Sequence, residues 1–226
     1  MRVFLLSHRL SACERLVRRG SRVADVGTDH AQIPVRLVMD GISPRVIATD
    51  IAEGPCETAK GFVKRYGLSD KIDVRNCDGL SGVSANEVDD IIIAGMGGDV
   101  MISILSAAVW LKSSSYRLIL QPMTKAEKLR AWLLENGFDI ISETAVTDAG
   151  RSYTIMLCGY DGVKRHPSDI AIYGGRLLYD DSPAAKDILE RQAKLLYAQA
   201  GGLEAMGEED KAQRLTDIAD ALVRGR

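Results

Sequence analysis

Val23-Ala24-Asp25-Val26-Gly27-Thr28-Asp29-His30 is the segment that decides the fold, because an apolar run of strand type passes directly into an acidic turn that contains a glycine. A dinucleotide pyrophosphate needs backbone N–H groups at a helix N-terminus, usually supplied by a G-x-G-x-x-G sequence. No such sequence follows this strand, and its carboxylates would repel phosphate. Hydride transfer with a dinucleotide is therefore the least favoured function.

Similar turns follow the next three predicted strands. Asp50 ends the second strand, 25 residues after Asp25, and Asp78-Gly79 and Ile93-Ala94-Gly95-Met96-Gly97-Gly98 end the third and fourth. Any one of them is adequately explained as a plain turn or helix cap. In a doubly wound sheet, however, ligands bind outside the carboxyl ends of the strands. Four such turns in succession favour a ligand with a cationic amino-acid end and a free ribose, as in S-adenosylmethionine.

The chain alternates between short apolar strands and helices from residue 21 onward. The predicted strands cover residues 22–26, 45–51, 72–74, 88–94 and 116–120, followed by a hairpin near 138–147 and 152–159. The predicted helices cover residues 7–18, 31–40, 53–66, 97–109 and 124–135. β-α alternation of this kind predicts an α/β fold, a mostly parallel doubly wound sheet with an antiparallel edge.

The pattern changes after residue 160, so we predict a catalytic domain over residues 1–160 and a helical domain over residues 161–226. Apolar residues there recur at alternating spacings of four and three, as in a coiled-coil seam: Leu189, Ala193, Leu196, Ala200 and Leu203. Leu215, Ile218 and Leu222 repeat the pattern, which predicts a second helix antiparallel to the first. The pair Gly201-Gly202 is a candidate break in the first helix.

Composition favours a soluble globular protein, with 46% hydrophobic and 27% charged residues in a chain of 226. No apolar run approaches the ~20 residues that span a bilayer, and we expect no membrane association. The first six residues are too short and too quickly charged for a secretory signal. The four cysteines form no C-x-x-C pair, so neither a zinc site nor a disulfide framework is indicated. We expect a cytoplasmic protein.

The net charge of −2 argues against a protein that simply coats nucleic acid. Residues 1–22 nevertheless hold six arginines against the single acid Glu14. The six are Arg2, Arg9, Arg15, Arg18, Arg19 and Arg22. Such a patch can neutralise backbone phosphates, although a solvated helix face is the more ordinary explanation.

Several motifs together resemble the bacterial tRNA (adenine-22-N1)-methyltransferases. They are Leu6-Ser7-His8-Arg9-Leu10, residues 24–31, Asp78-Gly79-Leu80, residues 93–98 and Leu118-Ile119-Leu120-Gln121-Pro122. The resemblance implies a Rossmann-like, class I S-adenosylmethionine domain followed by a coiled-coil domain, which acts on N1 of an adenine in the D-arm of tRNA. Met123 departs from the family, which usually has Asn there, and this puts a hydrogen bond from residue 123 to the target base in doubt. Asp50 stands where the family more often has Glu, and the acidic role survives that exchange.

We assign roles to residues on these grounds. The expected cofactor-binding residues are Asp25, Gly27, His30, Asp50, Ile51, Asp78, Gly79, Gly95, Met96 and Gly97. The expected substrate-binding residues are Arg9, Arg15 and Arg18. Adenine N1 has an exposed lone pair, so the reaction depends on positioning and electrostatics more than on a general base.

Asp29 is the first candidate for catalysis, as an acceptor for the adenine amino group. The alternative is that Asp29 caps the helix that starts near Ala31. Gln121 and Pro122 are expected to shape the acceptor pocket. Because N1 lies on the Watson–Crick edge, the base must be extruded, and the first helix and the helical tail are candidate contacts for the rest of a tRNA. No obligatory protein partner is inferred.

Two alternatives remain open. A class I methyltransferase acting on a small molecule or a protein would not need the basic N-terminal helix. A degenerate methyltransferase fold that binds RNA without catalysis would not need intact acidic turns at every strand end.

Overall fold

The computed structural model describes residues 4–224, so that Arg2 lies outside the described residues. The strands are β1 Val23–Val26, β2 Val46–Asp50, β3 Ile72–Asn76, β4 Asp90–Gly97, β5 Arg117–Thr124, β6 Phe138–Asp148 and β7 Arg151–Tyr160. The helices are α1 His8–Glu14, α2 Gln32–Met39, α3 Glu53–Arg65, α4 Gly98–Ala107, α5 Ala126–Glu135, α6 Asp169–Gly174, α7 Pro183–Ala205 and α8 Glu209–Arg224.

All seven strands form one sheet in the order β3-β2-β1-β4-β5-β7-β6. The first five are parallel, and β1 pairs with both β2 and β4, which places the switch in strand order between β1 and β4. The predicted hairpin is confirmed, but its inner strand β7 is the antiparallel one, since β7 pairs with β5 and leaves β6 at the edge. The α/β, Rossmann-like fold is therefore confirmed, with this refinement of the edge.

The sheet forms where it does because its central strands bury both faces. Side chains of a strand alternate between faces. Accordingly, the fully buried Ile91 and Ile93 pack into one apolar cluster with α4 and α5, while Ile92 packs into a second cluster with α1 and α2. Runs of β-branched residues with helices on both faces are typical of buried parallel sheets.

The two long C-terminal helices pack against each other through the predicted seam. Leu189, Ala193 and Leu196 of α7 lie in one buried cluster with Ile218 and Leu222 of α8. The candidate break does not occur: α7 runs without interruption through residues 201–202 to Ala205. Two helical glycines cost about 2 kcal/mol relative to alanine, which the buried seam offsets. Among residues 4–224, no helix combines the length and apolarity that crossing a membrane requires.

A buried ion pair joins α5 to β6 and binds the segment that precedes α7. The guanidinium of Arg130 (α5) lies 2.8 Å from the carboxylate of Glu143 (β6), and the two side chains are 3% and 0% exposed. Arg130 also donates to the carbonyls of Ile172 and Tyr173, at 3.0 and 3.2 Å. Glu143 accepts from the backbone N–H of Arg176 at 2.5 Å. The segment that leads into α7 is therefore fixed on α5 and β6.

Candidate active site

The turn after β1 holds a buried carboxylate. Asp25 is 5% exposed, and its Oδ2 accepts a hydrogen bond from the Thr28 hydroxyl at 2.6 Å. Burial raises the pKa of Asp25 to about 6; the Thr28 hydrogen bond opposes this shift, and the charge of Asp50 adds to it. Gly27, between Asp25 and Thr28 in the turn, has φ +74° and lets the chain reverse. Asp25 is thus an anion at neutral pH that a cationic ligand would stabilise.

Asp29 lies in the same turn but does not cap the next helix. The alternative stated above is wrong, because α2 begins at Gln32 behind Ala31, with no side-chain capping hydrogen bond. Asp29 and Ala31 both have left-handed φ values, 50° and 53°, a conformation that costs energy in residues other than glycine. The Asp29 side chain is 67% exposed, with Oδ2 3.4 Å from Nε2 of His30. Asp29 and His30 line a cavity of about 260 Å³ together with Asp25 and Gly27.

Asp50, at the end of β2, connects this turn to its neighbour. One carboxylate oxygen accepts from the backbone N–H of Asp29 at 3.3 Å, and the other accepts from Ala52 at 3.0 Å. Asn76, at the end of β3, donates to the carbonyls of Asp50 and Ile51 at 3.1 and 3.0 Å. Ile51 is 69% exposed. The structure therefore brings together the predicted residues of the first and second strand ends.

The third strand end supplies Asp78 and Gly79. Asp78 is exposed and lines a second cavity of about 310 Å³, against residues 103–108 of α4 and the adjoining turn. Gly79 has φ +55°, and a Cβ atom there would lie 2.9 Å from Ile104 of α4. A larger residue would push α4 away, so the glycine allows α4 to pack closely on the turn after β3.

The fourth strand end packs directly on the first. A Cβ atom at Gly27 would lie 2.2 Å from Cε of Met96, so the two turns are in contact. Gly95 is exposed and lines the cavity that contains Asp25 and Asp29. Met96 and Gly97 are half-buried, and Gly97 lies against Thr124 rather than in that cavity.

Gln121 is buried completely and uses both ends of its amide inside the protein. Its Oε1 accepts from Nη1 of Arg9 at 2.5 Å and from the backbone N–H of Gly95 at 3.1 Å. Its Nε2 donates to the carbonyl of Pro122 at 3.0 Å and lies 3.6 Å from Sδ of Met123. Gln121 thus positions Arg9 and the Gly95 turn.

The N-terminal arginines separate into two groups. Arg9 lies at the site and lines the Asp25 cavity, and Arg15 is exposed at the end of α1. Arg18, however, lies at the opposite end of the strands, where its guanidinium is 2.5 Å from Asp90 at the start of β4. Asp90 is 0% exposed and needs a counter-charge, which explains this placement. Arg18 therefore lies away from the Asp25 cavity, and its role as a substrate-binding residue stays a prediction.

Comparison with known proteins agrees with this geometry. A family model described as a methyltransferase domain matches residues 6–156. The tRNA (adenine(22)-N(1))-methyltransferase of Bacillus subtilis is 35% identical over 228 residues, which cover 96% of this chain and 94% of that protein. The chain belongs to this methyltransferase family.

Solved structures of the family superpose over nearly the whole chain. A Bacillus subtilis m1A22 tRNA methyltransferase, 26% identical, has a TM-score of 0.88 and covers 98% of this chain and 100% of its own. A Streptococcus pneumoniae protein proposed to be a tRNA (m1A22) methyltransferase was crystallised with S-adenosyl-L-methionine. It is 30% identical, with a TM-score of 0.81 and coverage of 97% and 100%.

A larger cleft of about 500 Å³ lies next to the acidic edge of this methyltransferase. Its walls are Pro122 and the segment after it, the start of β7 and one face of α7. The cationic side chains in these walls are Lys125, Lys128, Arg151 and Arg191. Apart from Pro122, the residues of this cleft belong to no sequence motif. The available signal was the hairpin itself, because its second strand starts at the carboxyl edge of the parallel strands.

The edge thus has an acidic half and a basic half. Asp25, Asp29 and Asp50 create a negative potential that suits a cationic ligand such as a sulfonium with an α-amino group. The neighbouring cleft is lined by four cations and one acid, Glu127, an excess of positive charge that suits a phosphate-bearing molecule. Lys125 and Lys128 share Asp99, and Arg191 lies near Asp187, whereas Arg151 has no carboxylate partner within residues 4–224. Arg9 and Gln121 lie between the two halves. A group held on the acidic side can therefore be passed to a molecule in the cleft.

Proposed function

We propose that this chain transfers the methyl group of S-adenosylmethionine to N1 of adenine 22 in tRNA. The observation that carries the proposal is the acidic cavity at the ends of β1 and β2 beside a cation-lined cleft. The substrate named for the Bacillus subtilis relative, which matches across 96% of this chain, supports the choice of nucleoside.

In this proposal the cofactor lies along the carboxyl edge of the sheet. Asp25 holds the positive end of the methionine part. Asp50 accepts from the ribose hydroxyls, as an acid at the end of the second strand does in nucleotide-binding folds. Asp78 accepts from the adenine amino group in the second cavity. Gly27 and Gly95 permit close approach of the ligand to the backbone.

The chemistry is a direct displacement. The lone pair of adenine N1 forms a bond to the methyl carbon while the electron pair of the C–S bond moves to sulfur, which gives S-adenosylhomocysteine and a cationic N1-methyladenine. Asp29 accepts from the amino group of the target adenine in tRNA and stabilises the charge that develops on its ring. No proton has to leave N1 before the transfer.

The remainder of the chain holds the RNA. We infer that residues 1–160 form the catalytic part and residues 161–226 a helical part that contacts tRNA together with Arg9 and Arg15. Position 22 lies in a folded region, so its extrusion requires contacts beyond the pocket. tRNA as substrate and four unpaired cysteines suggest a cytoplasmic protein.

The test is incubation with labelled S-adenosylmethionine and an unmodified tRNA transcript, followed by nucleoside analysis. We expect N1-methyladenine, and none from a transcript that carries guanine at position 22. Label in protein or small molecules but not in tRNA would support the alternative substrates. Cofactor binding without any transfer would support a non-catalytic RNA-binding protein.

A further inference from the structure

Tyr153, near the start of β7, is the one tyrosine of the described chain with two guanidinium groups over its ring. Cζ of Arg9 lies 5.6 Å and Cζ of Arg151 lies 5.8 Å from the ring centroid. Neither arginine forms an ion pair with a carboxylate within residues 4–224. The aromatic ring is half-buried and forms part of the wall of the 500 Å³ cleft.

Arg9 relates this ring to the acidic cavity. Its guanidinium is fixed by Gln121 at 2.5 Å, and Nη1 lies 3.5 Å from where a Cβ of Gly95 would stand. Arg9 therefore touches both the turn that lines the Asp25 cavity and the ring that lines the cleft. A base on the ring of Tyr153 would lie close to the Arg9 side chain, which also lines the Asp25 cavity.

We propose that Tyr153 is the stacking platform for the extruded target adenine, an inference that rests on the proposed function. Stacking is the contact this wall is suited to provide, because the side chains of Pro122 and Met123, which line the same cleft as the ring, offer no N–H donor to a base. Arg151 is exposed at the hairpin and has no carboxylate partner, so it can move aside as the base arrives. Arg9, held by Gln121, stays in place.

The ring also favours the reaction itself. Methylation at N1 gives the adenine a positive charge, and the face of an aromatic ring attracts cations. Two guanidinium groups lie within cation–π distance of the Tyr153 ring, so the ring is placed where it can act on a cation. Tyr153 therefore binds the transition state more tightly than the neutral base, which raises kcat as well as lowering KM.

The test compares Tyr153→Leu with Tyr153→Phe in the full chain, and Tyr179→Ala is the matched control. The Tyr153 hydroxyl makes no hydrogen bond within the described part of the chain, so the Phe variant should keep near-native activity. Loss of base stacking on an aromatic ring predicts that the Leu variant loses about 5- to 150-fold in kcat/KM for tRNA. Tyr179 is 88% exposed and lies outside the cleft, so its replacement should change neither parameter.

A spectroscopic readout separates stacking from a structural role. In a tRNA transcript with 2-aminopurine at position 22, the fluorescence of this base should be quenched in the complex with the wild-type and Phe proteins. It should be stronger in the complex with the Leu protein. Thermal unfolding and S-adenosylmethionine affinity, which should be unchanged, check the fold of each variant. If the Leu variant does not fold, absence of quenching with the wild-type and Phe proteins would overturn the proposal.

The two proposals fail differently. A wild-type protein that methylates no tRNA would refute the proposed function. A wild-type protein that methylates tRNA while Tyr153→Leu retains full kcat/KM would refute only the role of Tyr153.

Discussion

Replacement of Asp25 by Asn should stabilise the cofactor-free protein and lower its affinity for the cofactor. Burial raises the pKa of Asp25 from 3.8 to about 6. Between these values the folded protein holds a proton that the unfolded chain has lost, so stability falls as the pH rises from about 4 to about 6 and is level above that. A shift of about two units corresponds to about 3 kcal/mol above pH 6.

The Asn variant avoids this cost, since it has no charge to bury and its carbonyl oxygen can still accept from Thr28. We therefore expect its free energy of unfolding at pH 8 to exceed that of the wild type by up to about 3 kcal/mol, and the difference to shrink towards pH 5. Loss of a charged hydrogen bond should weaken S-adenosylmethionine binding by about 1.5–3 kcal/mol. In the wild type, affinity should also fall as the pH drops below about 6, because Asp25 becomes protonated.

Urea unfolding at pH 5, 6, 7 and 8 and calorimetric titration with S-adenosylmethionine measure both effects. Asp70→Asn, a change at an exposed carboxylate, is the matched control and should alter neither quantity. A variant less stable than the wild type at pH 8, or a stability difference that does not vary with pH, would show that burial of the Asp25 charge does not destabilise the protein.

Three further predictions concern other residues of the chain. Asp50→Ala should weaken S-adenosylmethionine binding by about 1.5–3 kcal/mol in calorimetric titration, and unchanged affinity would remove Asp50 from the site. Asp29→Asn should slow single-turnover methylation at least about tenfold with little change in cofactor affinity. A joint loss of cofactor affinity and melting temperature would show instead that Asp29 stabilises the turn. Arg130→Ala should cost about 3–5 kcal/mol of unfolding free energy in urea, because Glu143 stays buried without its partner; the exposed Arg65→Ala should cost almost nothing.

The sheet could be predicted from sequence because its signal is local. Each buried strand is a short run of apolar, mostly β-branched residues, and the glycines at 41, 67 and 137 follow the helices, each with positive φ. The order of β6 and β7 could not be predicted, because pairing with β5 depends on distant residues such as Met156. The continuity of α7 through Gly201 and Gly202 likewise depends on the seam against α8, which outweighs the local preference.

The site residues that directly follow strands could be predicted from the sequence. Those whose position depends on a partner far away in the chain could not. The turns at Asp25 and Asp50 meet because parallel strands end at one edge. Six arginines within 22 residues, in contrast, do not reveal which of them face that edge. Arg18 is drawn to the opposite end of the sheet by the buried Asp90, a partner 72 residues away. Tyr153 lies on a strand without any motif, and only the hairpin geometry brings it to the cleft.

The helical tail cannot be assigned a role simply by deleting it, because it is part of both the cleft and the core. Arg191 of α7 donates to the carbonyl of Ser152 at 2.8 Å, next to Tyr153 in the wall of the cleft. A chain that ends at residue 160 would lose that wall and would also remove the backbone partners of Arg130 and Glu143, leaving a buried ion pair exposed to water. Reduced tRNA binding by such a fragment would therefore report a damaged cleft as readily as a lost RNA contact. Point changes on the exposed cations of the cleft, which leave the ion pair and the seam intact, distinguish the two.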